Sequence, residues 1–311
     1  MKIAQGHIAA TSMTALTLGL LSAMPAAADP FTFNTGNVTN LIATATRPES
    51  TGKFEIESAD DFFLTNSASI TNATFTGLIT GPSPLSNIGE VRIEIYRVFP
   101  NDSDVGRTSG PPTFSTPQVP TRVNSPSDVE FDDRDTSPAP GNLTFTTKDL
   151  GSFTALNSVQ PGGIHPQPGQ MTGGNGLVTG EEVEFDVTFT KPFSLPPDHY
   201  FFVPQVEITT ASGEFLWLSG TRPLVPSPFP PGVTDLQSWT RDQMLDPDWL
   251  RIGSDIVGTP AAGPTFNAAF SLTGVVPEPA SLSLLGAALS GMGLLGWRRR
   301  CRYQSSERTL T

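Results

Sequence analysis

Between residues 182 and 190 the chain alternates without a break: Val183, Phe185, Val187 and Phe189 are separated by Glu184, Asp186 and Thr188, with Glu182 and Thr190 outside them. Successive side chains of a strand point to opposite faces, so this period of two gathers four apolar groups on one face and the acids and hydroxyls on the other. A helix would scatter the same residues around its axis. The period recurs at Leu41, Ala43 and Ala45, at Ala73, Phe75, Gly77 and Ile79, at Val91, Ile93 and Ile95, and at Phe266, Ala268, Phe270 and Leu272. Shorter candidates lie at 54–56, 62–64, 143–145 and 202–208; Pro204 pushes the last toward an edge or a bulge, because proline has no N–H to give a ladder. About nine or ten strands result, and the expected fold is an all-β, two-sheet sandwich. One helical turn is expected at Asp246-Pro247-Asp248-Trp249-Leu250, where Asp caps and Pro takes the first helical position.

Thirty Pro and 29 Gly among 311 residues promise many turns, and they concentrate in two stretches. Seven prolines fall in 106–142; seven glycines and three prolines fall in 161–180. Both are expected to be long loops, the second with the composition of a disordered segment.

The two ends carry a different kind of signal. Residues 1–28 hold Lys2, an apolar stretch at 8–21 and the small run Ala26-Ala27-Ala28 before Asp29. That order is a signal peptide, with Ala26 and Ala28 in the cleavage pattern and Asp29 as the first mature residue, and it implies signal peptidase as a partner. At the other end 280–297 is uncharged, about 27 Å long as a helix, and just spans a bilayer core. Arg298, Arg299, Arg300 and Arg302 follow, which leaves 303–311 as a cytoplasmic tail and the body outside. Immediately before the span stands Pro277-Glu278-Pro279, a short extended peptide that two prolines keep out of the helix.

A Pro-Glu-Pro tripeptide, a Gly-rich apolar helix and an Arg cluster in this order resemble the PEP-CTERM sorting signal of exported bacterial proteins. The resemblance covers 276–302 and implies handling by exosortase, a membrane-embedded, transpeptidase-like cysteine enzyme. It also implies an inner-membrane-anchored precursor that is then delivered to the cell surface or extracellular matrix. The body, 29–275, carries Ser58-Ala59-Asp60-Asp61-Phe62, the stretches 70–77, 91–96 and 193–202, and finally 266–274. These phrases are similar to the successive strands of the jelly-roll domains often borne by PEP-CTERM proteins, and the similarity runs over 31–274.

Setting aside the leader's Lys2, the five Arg of 280–311, Glu278 and Glu307 leaves the body twelve basic and 28 acidic residues, a formal charge of −16. Such a body repels nucleic acid, whose phosphates are bound by Lys and Arg. The only cysteine, Cys301, lies within the basic cluster, so the body has no disulfide; nearly 250 residues bury a sufficient core without one.

Catalytic groups are scarce. His165 and His199 are the only body histidines, no G-x-S-x-G occurs, and three-His zinc binding is excluded within one chain. Both histidines are expected to be solvent-exposed or turn-capping. Asp128, Glu130, Asp132, Asp133 and Asp135 place five carboxylates in eight residues, a set of hard oxygen donors that would suit Ca²⁺ and no other cofactor. The EF-hand pattern fails there, since Asp133 and Ala139 stand where its Gly and closing Glu belong. Trp217, Trp239 and Trp249 would stack on sugar rings if their faces were exposed. The function expected first is therefore a non-enzymatic surface or matrix protein. A carbohydrate-binding module of an exopolysaccharide matrix comes second, and an extracellular glycoside hydrolase third.

Overall fold

The alternating segment lies inside an 18-residue strand, Val178–Leu195, and its four apolar residues are all buried. The computed structural model describes residues 28–82, 85–102, 123–139, 141–165, 171–243, 249–258 and 264–277. Residues 28–277 form one unit; the rest of the chain, 1–27 and 278–311, lies outside the described residues, and with it the expected leader, apolar span and Arg cluster. Among the described residues no helix is long and apolar enough to cross a membrane.

Fifteen strands are described. In chain order they are β1 (Asp29–Asn34), β2 (Ala43–Ala45), β3 (Ile56–Phe63), β4 (Ala68–Ile79), β5 (Ile88–Val98), β6 (Pro126–Asp135), β7 (Leu143–Ala155) and β8 (Ser158–Val159). There follow β9 (Val178–Leu195), β10 (His199–Ile208), β11 (Phe215–Gly220), β12 (Trp239–Asp242), β13 (Leu250–Arg251), β14 (Asn267–Ala268) and β15 (Phe270–Val276). Nine strands make one sheet, with β1, β15 and β4 adjacent in that order and β9 and β7 continuing beyond β4; β11 pairs with the far end of β4. The other sheet has the order β13, β12, β3, β10, β5, β6. This is the expected all-β, two-sheet arrangement.

Phenylalanine fills the space between the sheets. Phe75 and Phe185 stack at 4.9 Å, Phe202 and Phe270 at 4.9 Å, and Phe215 meets Phe75 edge-on. Offset and edge contacts of this kind add to the burial of the rings themselves. A smaller cluster of Ile42, Ile56, Leu78, Leu216 and Leu250 closes one end. A third lies on the outer face of the six-stranded sheet, where Tyr96, Phe201, Trp239 and Trp249 pack together.

Two expectations change. The acidic stretch inside 106–142 is not a loop: residues 126–135 are β6, paired antiparallel with the far edge of β5. Phe131 is its inward anchor, and Pro126 opens the strand where an N–H is dispensable. Within 161–180, Pro161–Gly163 is a short 3-10 turn, β9 begins at Val178, and 171–177 is tied down. Asn175 N–H donates to Ser158 O at 2.8 Å and Thr172 N–H to Ile256 O at 2.9 Å. Side chains add to these backbone bonds: Asn157 donates to Gly173 O, Asn175 accepts from the Gln160 N–H and Thr172 donates to Ile256 O. The helical turn expected at 246–250 falls largely on residues 244–248, which lie outside the described residues; Leu250 opens β13, and a π turn spans Ile252–Val257.

Pro204 stands in the interior of β10, yet β3 pairs with β10 only over 199–202, so on that side the ladder has already ended. Thr46 uses the freed carbonyl, donating its hydroxyl to Pro204 O at 2.5 Å, and a bulge follows between Val206 and Ile208.

Candidate functional site

The two ends of the described unit meet in one ladder. β1 pairs antiparallel with β15 from Asp29 opposite Val276 to Asn34 opposite Ser271. The expected first mature residue is thus the direct neighbour of the residue that precedes Pro277. Along β1 the holding is uneven. Phe33 is buried and packs on Phe62, Phe229 and Phe270, and Thr35, just past the strand, exchanges bonds with Phe270. Asp29, Pro30 and Thr32 are exposed and Phe31 is half-buried. On β15 Val275 is exposed, Val276 half-buried and Pro277 exposed. A cavity of ≈ 390 Å³ opens beside this pair, lined among others by Asp29, Phe31, Phe63, Asn66, Pro228 and Val276.

Buried charge gathers elsewhere, on the outer face of the six-stranded sheet. Alternate positions of β5 put Glu94 and Tyr96 on that face, and β3 puts Glu57 and Asp61 there. The Tyr96 hydroxyl donates to Glu57 Oε1 at 2.6 Å and lies 3.3 Å from Glu94 Oε2. Arg241, from β12, grips both oxygens of Glu57 while its guanidinium lies over the rings of Trp249 and Tyr96. Burial alone would raise the Glu57 pKa, but the Arg241 charge and its hydrogen bonds outweigh it and the carboxyl stays ionised below its usual range. Glu94 goes the other way: burial and the neighbouring Glu57 charge push it well up. Glu55, Arg92 and Glu130 complete the wall of a polar cavity of ≈ 200 Å³. The Tyr96 hydroxyl thus lies between the two carboxyls and brings them together on this face. Glu57 Oε1 accepts from Tyr96 and Arg241 and Oε2 from Arg241.

A second buried group ties the loop before β12 to β3. Asp60 accepts from Ser238 Oγ at 3.0 Å and from the Ala268 N–H at 2.9 Å. Asp61 Oδ2 accepts from the Leu236 N–H at 3.2 Å and lies 2.6 Å from His199 Nε2. Nearby Asp235 meets Arg222 at 3.3 Å and accepts from Asn267 at 3.2 Å. Burial raises both Asp60 and Asp61 well above the carboxylate range; the other Asp61 oxygen has no donor among the described residues, which disfavours its anion further. Burial lowers the His199 pKa to about 4, so the ring is neutral. His199 is therefore a packed, paired residue at the start of β10 rather than a solvent-exposed or turn-capping one.

Neither group was found from the sequence. The only signal for them was the polar face of the period-two patterns, which says which residues share a face and not which strands lie side by side. The candidates that were named fare otherwise. Trp217, Trp239 and Trp249 are all buried, with 2–3% of their surface exposed, so none offers a face to a sugar ring. Trp217 donates its ring N–H to Ala269 O at 2.9 Å and Trp249 donates to Ser127 O at 3.3 Å. Asp128, Glu130, Asp132, Asp133 and Asp135 are spread along β6 instead of converging in a loop. Strand geometry sends neighbours to opposite faces, and Arg134 takes both oxygens of Asp132. Among the described residues no three His, Cys, Asp or Glu side chains are grouped to hold a metal ion. Glu278, Pro279, Arg298, Arg299, Arg300, Ala26 and the rest of 1–27 lie outside the described residues, while Ala28, Asp29 and Pro277 stand at the limits of the described unit.

Residues 275–300 match the family model of the PEP-CTERM protein-sorting motif. The match supports an exported chain sorted to the cell envelope, with exosortase as the kind of partner that handles it. Its first two residues, Val275 and Val276, are the last two of β15. No curated protein and no solved structure matches the chain.

Proposed function

We propose that the chain is a non-enzymatic protein of the bacterial cell surface or extracellular matrix, whose β-sandwich is the delivered cargo of its own C-terminal signal. The observation that carries this reading is the sorting-motif match over 275–300, in which Pro277-Glu278-Pro279 precedes the apolar segment 280–297 and Arg298, Arg299 and Arg300. In this reading signal peptidase cuts after Ala28, and the apolar segment holds the precursor in the inner membrane with 303–311 in the cytoplasm. Exosortase then acts near the Pro-Glu-Pro peptide. The jelly-roll reading of the body is supported by the way consecutive strands change sheet, β3 to β4, β4 to β5, β9 to β10 and β10 to β11. A non-enzymatic role is supported by the engagement of both Glu57 oxygens with Arg241. Burial of the three tryptophans removes the argument for polysaccharide stacking.

The test replaces Pro277, Glu278 and Pro279 together by alanine in a producing strain. Export is expected to proceed as before, while the uncleaved form accumulates in the membrane fraction. Equal release of variant and wild-type chains would end the sorting reading.

A further inference from the structure

The sorting motif and the last strand overlap. Val275 and Val276 belong to the matched motif and are also ladder residues, opposite Pro30 and Asp29 of β1; Val275 is in addition opposite Ser69 of β4. No spacer separates the last ladder residue from Pro277. An enzyme that binds peptide in extended form needs free backbone on both sides of the bond it attacks, and backbone groups engaged in a ladder are not free. With β1 seated, Pro277 is the first residue that can be drawn away from the sheet.

The pairing is weakest where it meets the motif. Residues 29–31 contribute one half-buried ring, Pro30 has no N–H to donate, and the β15 ladder to β4 is already irregular between Thr273 and Gly274. Phe33 and Thr35, by contrast, are held by the aromatic cluster and by three hydrogen bonds to Phe270. Opening free energy follows buried contacts, so fraying of this strand is expected to start at Asp29 and to stop at Phe33. Release of 274–276 would lengthen the free segment before Pro277 by three residues, about 10 Å of extended chain.

We propose that residues 29–31 are a latch on the sorting motif, and that exosortase processing requires them to lift from β15 so that 274–276, once Gly274 and Val275 have also parted from Ile70 and Ser69 of β4, leave the sheet together with Pro277. This rests on the sorting reading above. It ties the processing of the C-terminus to the strand made by the mature N-terminus, with Phe33 as the stop that keeps the body folded while the latch is open.

The register supplies the test. Pro30 and Val275 are opposed, and the body has no cysteine of its own, so Pro30→Cys with Val275→Cys in a Cys301→Ser background can cross-link only across the latch. Processing is followed by pulse–chase in the producing strain, with cross-link formation read by thiol labelling. The cross-linked chain is expected to be processed slower by roughly tenfold or more, because a covalent bond removes the opening step, whereas each single-cysteine chain runs at the wild-type rate. Phe31→Gly, which weakens the latch without a cross-link, is expected to speed processing; a variant that merely misfolds would not. The alanine variant of Pro277-Glu278-Pro279 runs in parallel. If it is blocked while the cross-linked chain is processed at the wild-type rate, the latch is wrong and the sorting reading stands. If the alanine variant is processed normally, both fall. Slowing that persists in the single-cysteine chains also overturns the latch, since the bond is then not its cause.

Discussion

His199 shows how burial decides the behaviour of one side chain. Removal from water is the largest influence on the ring and lowers its pKa to about 4, against the opposing pull of Asp198 and Asp235. In the unfolded chain the same ring takes its proton near 6.5. Between about pH 6.5 and 4 the unfolded state thus binds a proton that the folded state refuses, so acidification through that window lowers stability, and below it the loss is complete. Asp60 and Asp61 work in the opposite sense: their folded pKa values are raised, and acidification through their range favours the fold. The histidine contribution is therefore best read as a difference. Urea unfolding of wild type and His199→Gln at steps from pH 7 to pH 4 is expected to show wild type losing up to roughly 3 kcal/mol more than the variant, at about 1.4 kcal/mol per pKa unit. Parallel pH profiles would show that the ring is not held neutral. Glu57 and Arg241 make the complementary case, in which a charge is kept in the interior because its partner comes with it.

Among the elements β6 departs furthest from expectation. Its acids invite a calcium loop by composition, yet an edge of β5 lay open, and Phe131 with Arg134 supplied the inward side of a strand. The Arg134 guanidinium donates to Lys191 O and Pro192 O and stacks on Phe193, so it fastens β6 to the end of β9 and leaves Asp132 as its counter-ion. A strand sends successive carboxylates to opposite faces, and among the described residues no three are grouped to hold a cation. Millimolar Ca²⁺ is accordingly expected to raise Tm no more than NaCl at matched ionic strength. A calorimetric shift specific to Ca²⁺, lost in Asp132→Asn with Asp133→Asn, would restore the metal site. β1 carries the other lesson of this kind, since an edge strand with one deeply buried residue is poorly held at its outer end, and that end adjoins the sorting motif.

For the molecule as a whole, the core is aromatic and inter-sheet, and covalent staples are absent from the body. Residues 29–277 expressed without leader or tail are expected to give a β-dominated circular dichroism spectrum and one unfolding midpoint, unchanged by reductant; a helix-dominated spectrum or a reductant-sensitive midpoint would contradict this reading. The β character and the sorting motif could both be read from the chain because each is local. A period of two needs only a residue and its near neighbours, and a motif of 26 residues is recognised within itself. The same locality explains the errors. Tryptophan at three positions says nothing of whether both faces of a sheet are covered, and here the outer face of the six-stranded sheet carries its own cluster, which buries Trp239 and Trp249. Five nearby acids likewise give no indication that a strand edge is waiting for them. Tyr96 reaches Glu57 across 39 residues of chain, His199 reaches Asp61 across 138, and Arg241 reaches Glu57 across 184. Asp29 faces Val276 from opposite ends of the body. Such meetings follow from sheet order and register, which are set by the summed packing of many distant side chains, and no short stretch of sequence contains that sum.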